Sequence, residues 1–228
     1  MYLPSTYSAE LALIVFSIVC WGSWANLLKL GRSGRFELFY YDFAWGALLC
    51  AVIAAFIFGT LNSKELTFQE NLLIVGYRNM AFAFGAGMLF NFANMLLAAG
   101  ISVGGMAVAF PIAAGVTLAI TGAAAGFLNT GGRLVPLASS AVLALAASIF
   151  AAAAGRGRAR AQTPAPGAGK AIALGIFAGI FMAGFYPILR CGAWGEEGLG
   201  PYGTAVLFRR GNVAFYVFAK PVFSEFSS

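Results

Sequence analysis

The stretch NMLLAAGISVGGMAVAFPIAAGVTLAITG, residues 94–122, contains no charged residue, but it is interrupted by glycines and a proline. A run this apolar is long enough to cross a bilayer, which takes about 20 residues in a helix. Pro costs about 3 kcal/mol inside an ordinary helix and Gly about 1 kcal/mol relative to Ala. We interpret the stretch as two membrane helices joined by a glycine turn at Gly100, Gly104 and Gly105, the second helix being kinked by Pro111.

The composition of the whole chain also indicates a membrane protein. Of its 228 residues, 61% are hydrophobic and 10% are charged, whereas soluble domains carry about 25% charged residues. The sequence therefore predicts an all-α integral membrane protein, a polytopic helix bundle surrounded by lipid. The net charge is +6, but the basic residues lie between apolar runs, as topology requires, and not along one stripe that would suit a nucleic acid.

Seven windows are long and apolar enough to be spans: 9–30, 38–61, 79–99, 103–128, 134–154, 171–189 and, more weakly, 202–223. Seven basic residues fall in or beside the first connection and the one after the fifth span: Lys29, Arg32, Arg35, Arg156, Arg158, Arg160 and Lys170. Because basic loops stay in the cytoplasm, the N-terminus is predicted to be outside. Residues 155–169, rich in Ala, Pro, Gly and Arg, are interpreted as a flexible cytoplasmic linker.

Two short segments on either side of that linker align without gaps, namely WGSWANLLK (21–29) and MAGFYPILR (182–190), 161 positions apart. We therefore divide the chain into a first five-span repeat (1–154), a basic linker (155–170) and the start of a second repeat (171–228). Five spans are an odd number, so the second unit would be inverted, which is the plan of many secondary transporters.

A complete protein of this kind would have ten spans in a 5+5 inverted repeat and about 320 residues. The present chain is therefore expected to be C-terminally truncated. Arg209 and Arg210 fall where the last span should be apolar, and a central Arg costs roughly 2.5 to 3.5 kcal/mol on insertion scales. One hypothesis is that the residues after about Phe208 are out of frame. The alternative is that the two arginines extend to the interface from a tilted or short helix.

The sequence resembles the drug/metabolite transporter superfamily in several motifs: CWGSWANLLK in the first span, FYYDFAWG at the start of the second, and NFANMLLAAGISVG leading to the proline-bearing fourth. Within it, the chain is most similar to the ureide permeases and the glucose/ribose porters. The resemblance, which covers residues 9 to about 208, implies a ten-span carrier with its N-terminus outside. The last three spans of such a carrier are absent here.

Aromatic and amide side chains within the spans are the predicted solute-binding residues. Trp21 and Trp24 share one face of the first span, with Asn26 nearby, and form a candidate aromatic wall; the alternative is that they anchor the helix at the interface. Asn91 and Asn94 repeat this spacing on the third span. Lipid cannot satisfy an amide, so these two should face a helix or water, either contacting solute or bonding between helices.

Three further positions complete the predicted solute site: Pro111 as a kink near mid-membrane, Thr117 following it, and Tyr186 in the second copy of the repeat. Asp42 is predicted to couple transport to protons, since a carboxylate inside a span is by default functional; the alternative is that it pairs with Arg32 or Arg35. Small-residue pairs such as Gly175 and Gly179 predict close helix packing without naming a partner.

The sequence contains no His, no CxxC pair among its three cysteines and no phosphate-binding GxxxxGK[ST] loop. These features disfavour an enzyme, a metal site and a cofactor. The predicted function is a secondary active transporter for a small polar organic solute, such as a ureide, a nucleobase or a sugar, in the cell membrane, with a bacterial inner membrane expected. A drug or metabolite exporter and a truncated, non-transporting fragment remain the alternatives. A homodimer is a possible oligomeric state.

Overall fold

A computed structural model describes residues 6–30, 36–61, 66–128, 134–162, 168–193, 195 and 198–224. Every regular element in these residues is an α-helix. In chain order the helices are α1 (Tyr7–Leu30), α2 (Phe36–Phe58), α3 (Phe68–Ile74), α4 (Tyr77–Gly104), α5 (Met106–Leu128), α6 (Leu134–Gln162), α7 (Ala168–Ala193) and α8 (Pro201–Ser224).

Four stretches of the described residues are long and apolar enough to cross a membrane, judged by length and composition: Tyr41–Phe58, Tyr77–Gly104, Met106–Ala124 and Gly169–Ala193. They belong to α2, α4, α5 and α7. In α1 and α6 the described apolar stretches, Tyr7–Ser23 and Ala141–Ala151, are shorter. The described residues are thus all-helical with four candidate membrane spans, in agreement with the predicted class, whereas the number of seven spans, their orientation and the inverted repeat stay predictions.

The glycine turn between the third and fourth spans is shorter than predicted. Helix α4 continues through Gly104, so Gly100 and Gly104 are helical and their assignment to the turn is wrong. Only Gly105 leaves the helix, with φ at +83°, and its N–H donates to the carbonyl of Ile101 at 2.9 Å. Gly100 serves packing instead, because a Cβ there would lie 3.2 Å from the Cβ of Ala109.

The predicted flexible linker is helical over much of its length. Helix α6 extends to Gln162 and α7 begins at Ala168, so the prediction of a flexible segment over 155–169 is wrong for the residues at both of its ends. Ala and Arg are strong helix formers, and they outweigh the two glycines in 155–162. Residues 163–167 lie outside the described part of the chain.

A short helix, α3, precedes the third span and was not predicted. Thr67 is its N-cap: the Thr67 hydroxyl accepts from the N–H of Glu70 at 3.3 Å, and the Glu70 carboxylate accepts from the N–H of Thr67 at 2.9 Å. This capping box satisfies two backbone donors at the helix start. The Phe68 N–H donates to the carbonyl of Gly59 at 3.0 Å, which ties α3 to the end of α2.

The chain divides into two compact units, one formed by Met1–Gly87 and Leu189–Ser228, the other by Met88–Ile188. In the first unit α2 packs against α8, and the rings of Tyr41 and Tyr216 lie 5.2 Å apart. In the second unit α5 packs against α6.

Several residues that follow Phe208, up to Tyr216, are packed within the first unit. Helix α8 continues to Ser224, and Asn212 and Tyr216 are 3% and 4% exposed. The Asn212 amide is placed to donate to the carbonyls of Gly87 and Phe208. Gly87 is needed there, since a Cβ would overlap the Phe208 backbone. This packing gives no support to the hypothesis that these residues are out of frame.

Candidate functional site

Two buried amides lie at the middle of α4. Asn91 is 0% and Asn94 is 3% exposed, and Asn91 is nearly equidistant from the helix ends at Tyr77 and Gly104. A helix of 28 residues is about 42 Å long at about 1.5 Å per residue, so Asn91 is about 20 Å from either end. Both predicted residues are thus buried near the middle of α4, and their part in solute binding stays a prediction.

Asn94 makes a local hydrogen bond that leaves much of its amide available. Its Nδ2 donates to the carbonyl of Phe90, one turn earlier, at 2.9 Å. A carboxamide has two N–H donors and two acceptor positions on its oxygen, and this bond engages one of the donors. Asn91 and Asn94 are three residues apart and therefore share a face of the helix.

That face of α4 is turned away from α7. Leu89 contacts the position of Gly184, and Gly100 contacts Leu174; at 100° per residue, Leu89 and Gly100 both lie about 160–180° from Asn91. Two edge-to-face aromatic pairs reinforce the packing of α4 on α7. Their ring centroids are 4.9 Å apart for Phe90 and Phe185 and 5.0 Å apart for Phe92 and Phe181.

Thr117 joins two helices. Its hydroxyl lies 2.8 Å from the carbonyl of Ala113 in its own helix α5 and 3.1 Å from the carbonyl of Gly179 on α7. A Cβ on Gly179 would lie 2.7 Å from both the Ala113 oxygen and the Val116 Cβ. The helix that packs closely against Gly175 and Gly179 is therefore α5. The Thr117 hydroxyl has a structural role in this contact, and its predicted role in solute binding is a separate question.

Pro111 lies on the opposite side of α5 from that contact. It is one turn before Gly115 and shares its face, and a Cβ on Gly115 would lie 2.6 Å from the Ser148 Cβ on α6. Ala113, which contacts α7, is about 160° away around the helix. Pro111 is inside α5, which continues from Met106 to Leu128. Its face is thus the one toward α6, and its role in solute binding stays a prediction.

The other predicted site residues differ in exposure. Tyr186 is 53% and Trp21 38% exposed. Trp24 and Asn26 belong to α1, but their side chains lie outside the described residues. Asp42 is exposed near the start of α2, and its predicted partners, Arg32 and Arg35, are likewise outside the described part of the chain.

Two buried amides were missed. Asn71 is 8% exposed and lies on α3, which the sequence announces through the T-x-x-E pattern of its capping box, TFQE at 67–70. Asn212 follows Arg209 and Arg210, which suggested that this segment was out of frame. It was therefore not considered as a buried residue.

Pro187 inside α7 was also not considered. It has no N–H, and the buried carbonyl of Ala183 therefore lacks the regular helical donor. The Ala183 carbonyl lies between Phe181 and Phe185, in the part of α7 whose aromatic rings pack against α4.

The described residues offer amide, hydroxyl and aromatic groups, and no group of three or more His, Cys, Asp or Glu among them could hold a metal ion. Neutral amides recognise N–H, O–H and C=O groups through hydrogen bonds and add no charge of their own.

Comparisons with known proteins found a similarity to a transporter. No protein-family profile matches the chain, and no solved structure matches it. A stretch of 125 residues is 26% identical to ureide permease 4 of Arabidopsis thaliana, and it covers 53% of this chain and 31% of that permease. The chain thus spans about a third of the length of this relative. The similarity and the apolar helices together are consistent with a permease-like membrane transporter.

Proposed function

We propose that the chain forms part or all of a secondary active transporter that moves a small, uncharged polar solute across the cell membrane. The solute class is a ureide, a nucleobase or a sugar. The observation that carries the proposal is the pair of buried amides, Asn91 and Asn94, at the middle of a helix long enough to span the bilayer. The similarity to a ureide permease supports it.

The two amides supply the chemistry that such a solute needs. Each carboxamide donates and accepts hydrogen bonds, so the pair can replace water around a solute that carries both kinds of group. Buried polar groups in a membrane are costly unless they are hydrogen-bonded, so the two amides are expected to face polar groups of the protein or of a solute and not lipid.

Movement across the membrane would come from an inverted repeat. Helices α1 and α7 begin 161 positions apart, at Tyr7 and Ala168, which is the offset of the two aligned segments. In this proposal the solute site forms between the two repeats and opens alternately to either side. Asp42, exposed near the start of the apolar stretch of α2, is the proposed proton-coupling group.

Uptake into proteoliposomes tests the function. Radiolabelled allantoin, uracil and glucose represent the three solute classes, and saturable uptake of at least one of them is expected. Asn91→Ala is expected to reduce that uptake at least tenfold, because one buried amide is removed from the site. Asn79→Ala, near the first turn of the same helix, is the matched control and should transport normally.

Both variants must first show the melting temperature and gel-filtration profile of a folded protein. Absence of saturable uptake for all three solutes would overturn the proposed function. Normal uptake by folded Asn91→Ala would remove the buried amides from the solute site.

A further inference from the structure

We propose that α3 and the segment 198–200 form a gate at one end of the bundle, held closed by the side chain of Asn71. We call the contact of Asn71 with the backbone of Gly198 and Gly200 the latch. The proposal rests on the proposed transport function, because it assigns to the latch the closing of the solute pathway on the side that the sequence predicts to be outside.

The latch uses both ends of one carboxamide. The Nδ2 of Asn71 donates to the carbonyl of Gly198 at 3.3 Å, and the N–H of Gly200 donates to the Asn71 Oδ1 at 2.8 Å. The side chain thus pairs with the backbone on both sides of Leu199, as a peptide group of a neighbouring strand would. Asn71 is 8% exposed, so water competes little for either bond.

Leu199, enclosed by the two bonds, fills the interior. It is 4% exposed and belongs to a cluster with Val75 and Ala83. Its N–H donates to the carbonyl of Gly192 at 3.1 Å, and a Cβ on Gly203 would lie 2.6 Å from its side chain. The leucine therefore closes the space between the end of α7, the start of α4 and the start of α8.

The latch joins two connections that are far apart in sequence. Asn71 and Gly200 are 129 positions apart; one lies between α2 and α4, the other between α7 and α8. The α3 side of the contact is itself anchored, since the Phe68 N–H donates to Gly59 at 3.0 Å and the rings of Phe56 and Phe68 are 5.6 Å apart. Release of the latch therefore detaches the segment 198–200 from α3, which stays attached to α2, while the Leu199 N–H keeps its bond to Gly192.

The segment 198–200 is rich in glycine. Glycines lie on both sides of Leu199, and Gly195, just before it, has φ at +97°, a conformation that side chains disfavour. The contact between α3 and this segment consists of the two latch hydrogen bonds, and a hydrogen bond of this kind typically contributes only a small net stability. A contact of this strength can open and close during a transport cycle.

Cysteine accessibility tests the gate. The native Cys20, Cys50 and Cys191 are exposed and are first replaced by Ser. In that background Leu199→Cys is treated with a membrane-impermeant maleimide. We expect slow reaction, and a rate roughly tenfold or more higher when Asn71→Ala is added, since two hydrogen bonds are lost.

A matched control lies on the same short helix. Leu73 is 87% exposed, so Leu73→Cys should react at the same rate with and without Asn71→Ala. Asn71→Asp keeps the acceptor for the Gly200 N–H but loses the donor to Gly198, and it should give an intermediate Leu199→Cys rate. It also provides a second variant if Asn71→Ala does not fold. Uptake of the solute that the wild-type chain transports is measured for each folded variant, and its maximal rate is expected to change severalfold.

The outcomes separate the gate from the function on which it rests. An unchanged Leu199→Cys rate in both Asn71 variants, with normal wild-type uptake, overturns the gate alone. A faster maleimide reaction of Leu199→Cys in the Asn71 variants, with unaltered uptake kinetics, also overturns the gate. The latch would then contribute to stability alone. Absence of uptake in the wild-type chain overturns the transport function and the gate together.

Discussion

Replacement of Gly179 by Ala should loosen the contact between α5 and α7. The added Cβ would lie 2.7 Å from the Ala113 oxygen and 2.7 Å from the Val116 Cβ, distances at which a helix must shift. Overpacking of this kind costs about 1 to 3 kcal/mol. The shift also weakens the 3.1 Å bond between the Thr117 hydroxyl and the Gly179 carbonyl, and such interhelical bonds contribute about 0.6 to 2 kcal/mol.

Ala is a better helix former than Gly by about 1 kcal/mol, which offsets part of this cost. The net destabilisation is about 2 kcal/mol, and for a chain of this size that lowers the melting temperature by about 6 °C. Gly85→Ala is the matched control, because Gly85 is inside α4 and a Cβ there meets nothing within 4 Å. It should leave the melting temperature unchanged or raise it slightly.

The assay is thermal unfolding of both variants in the same detergent, followed by the loss of the folded peak in gel filtration. Because both variants are measured in the same detergent, a difference in melting temperature reflects the substitution and not the detergent. A Gly179→Ala protein that melts at or above the wild-type temperature would refute the packing argument, since the α5–α7 contact would then tolerate a methyl group.

Three further predictions concern charge and backbone. If Asp42 couples transport to protons, Asp42→Asn abolishes accumulation driven by a pH gradient but leaves solute exchange; unchanged accumulation contradicts the coupling. Pro111→Ala restores a helical N–H and should slow flux if the kink is used in transport, whereas identical flux assigns Pro111 to packing alone. The pKa of Glu70 is lowered from its usual 4.5 by its hydrogen bonds from the Thr67 backbone and hydroxyl. Its stabilisation of α3 is therefore complete above about pH 4.5 and is lost as the pH falls through the lowered pKa; Glu70→Gln should abolish this pH dependence of amide hydrogen exchange in α3.

Much of the helical framework is predictable from sequence because bilayer-length apolar runs are strong signals. The windows for the spans in α2, α4, α5 and α7 coincide with the stretches found to be long and apolar enough to cross a membrane. Errors arose where glycine was taken as a breaker. Gly100 and Gly104 stay helical, because at Gly100 the missing Cβ admits a neighbouring helix, a requirement that a single segment does not reveal.

The site was predictable in part. Asn91 and Asn94 were identified because an amide in an apolar run is conspicuous; both are buried, as expected of amides that do not face lipid, and their role in solute binding stays a prediction. Asn71 and Asn212 were missed because neither lies in a clear apolar run; their burial depends on residues more than a hundred positions away for Asn71 and on α4 for Asn212. Small-residue spacing predicted that helices approach closely at Gly179, but the identity of the partner is a property of the tertiary fold.

The bond between Thr117 and Gly179 has a consequence for synthesis of the chain. The two residues are 62 positions apart, so at about 5 to 20 residues per second Thr117 is made about 3 to 12 s before its partner. During that interval α5 can already be in lipid, where an unsatisfied hydroxyl is unfavourable. In the meantime the Thr117 hydroxyl donates a hydrogen bond to the carbonyl of Ala113, 2.8 Å away in the same helix, so α5 can stay in the bilayer until α7 is made.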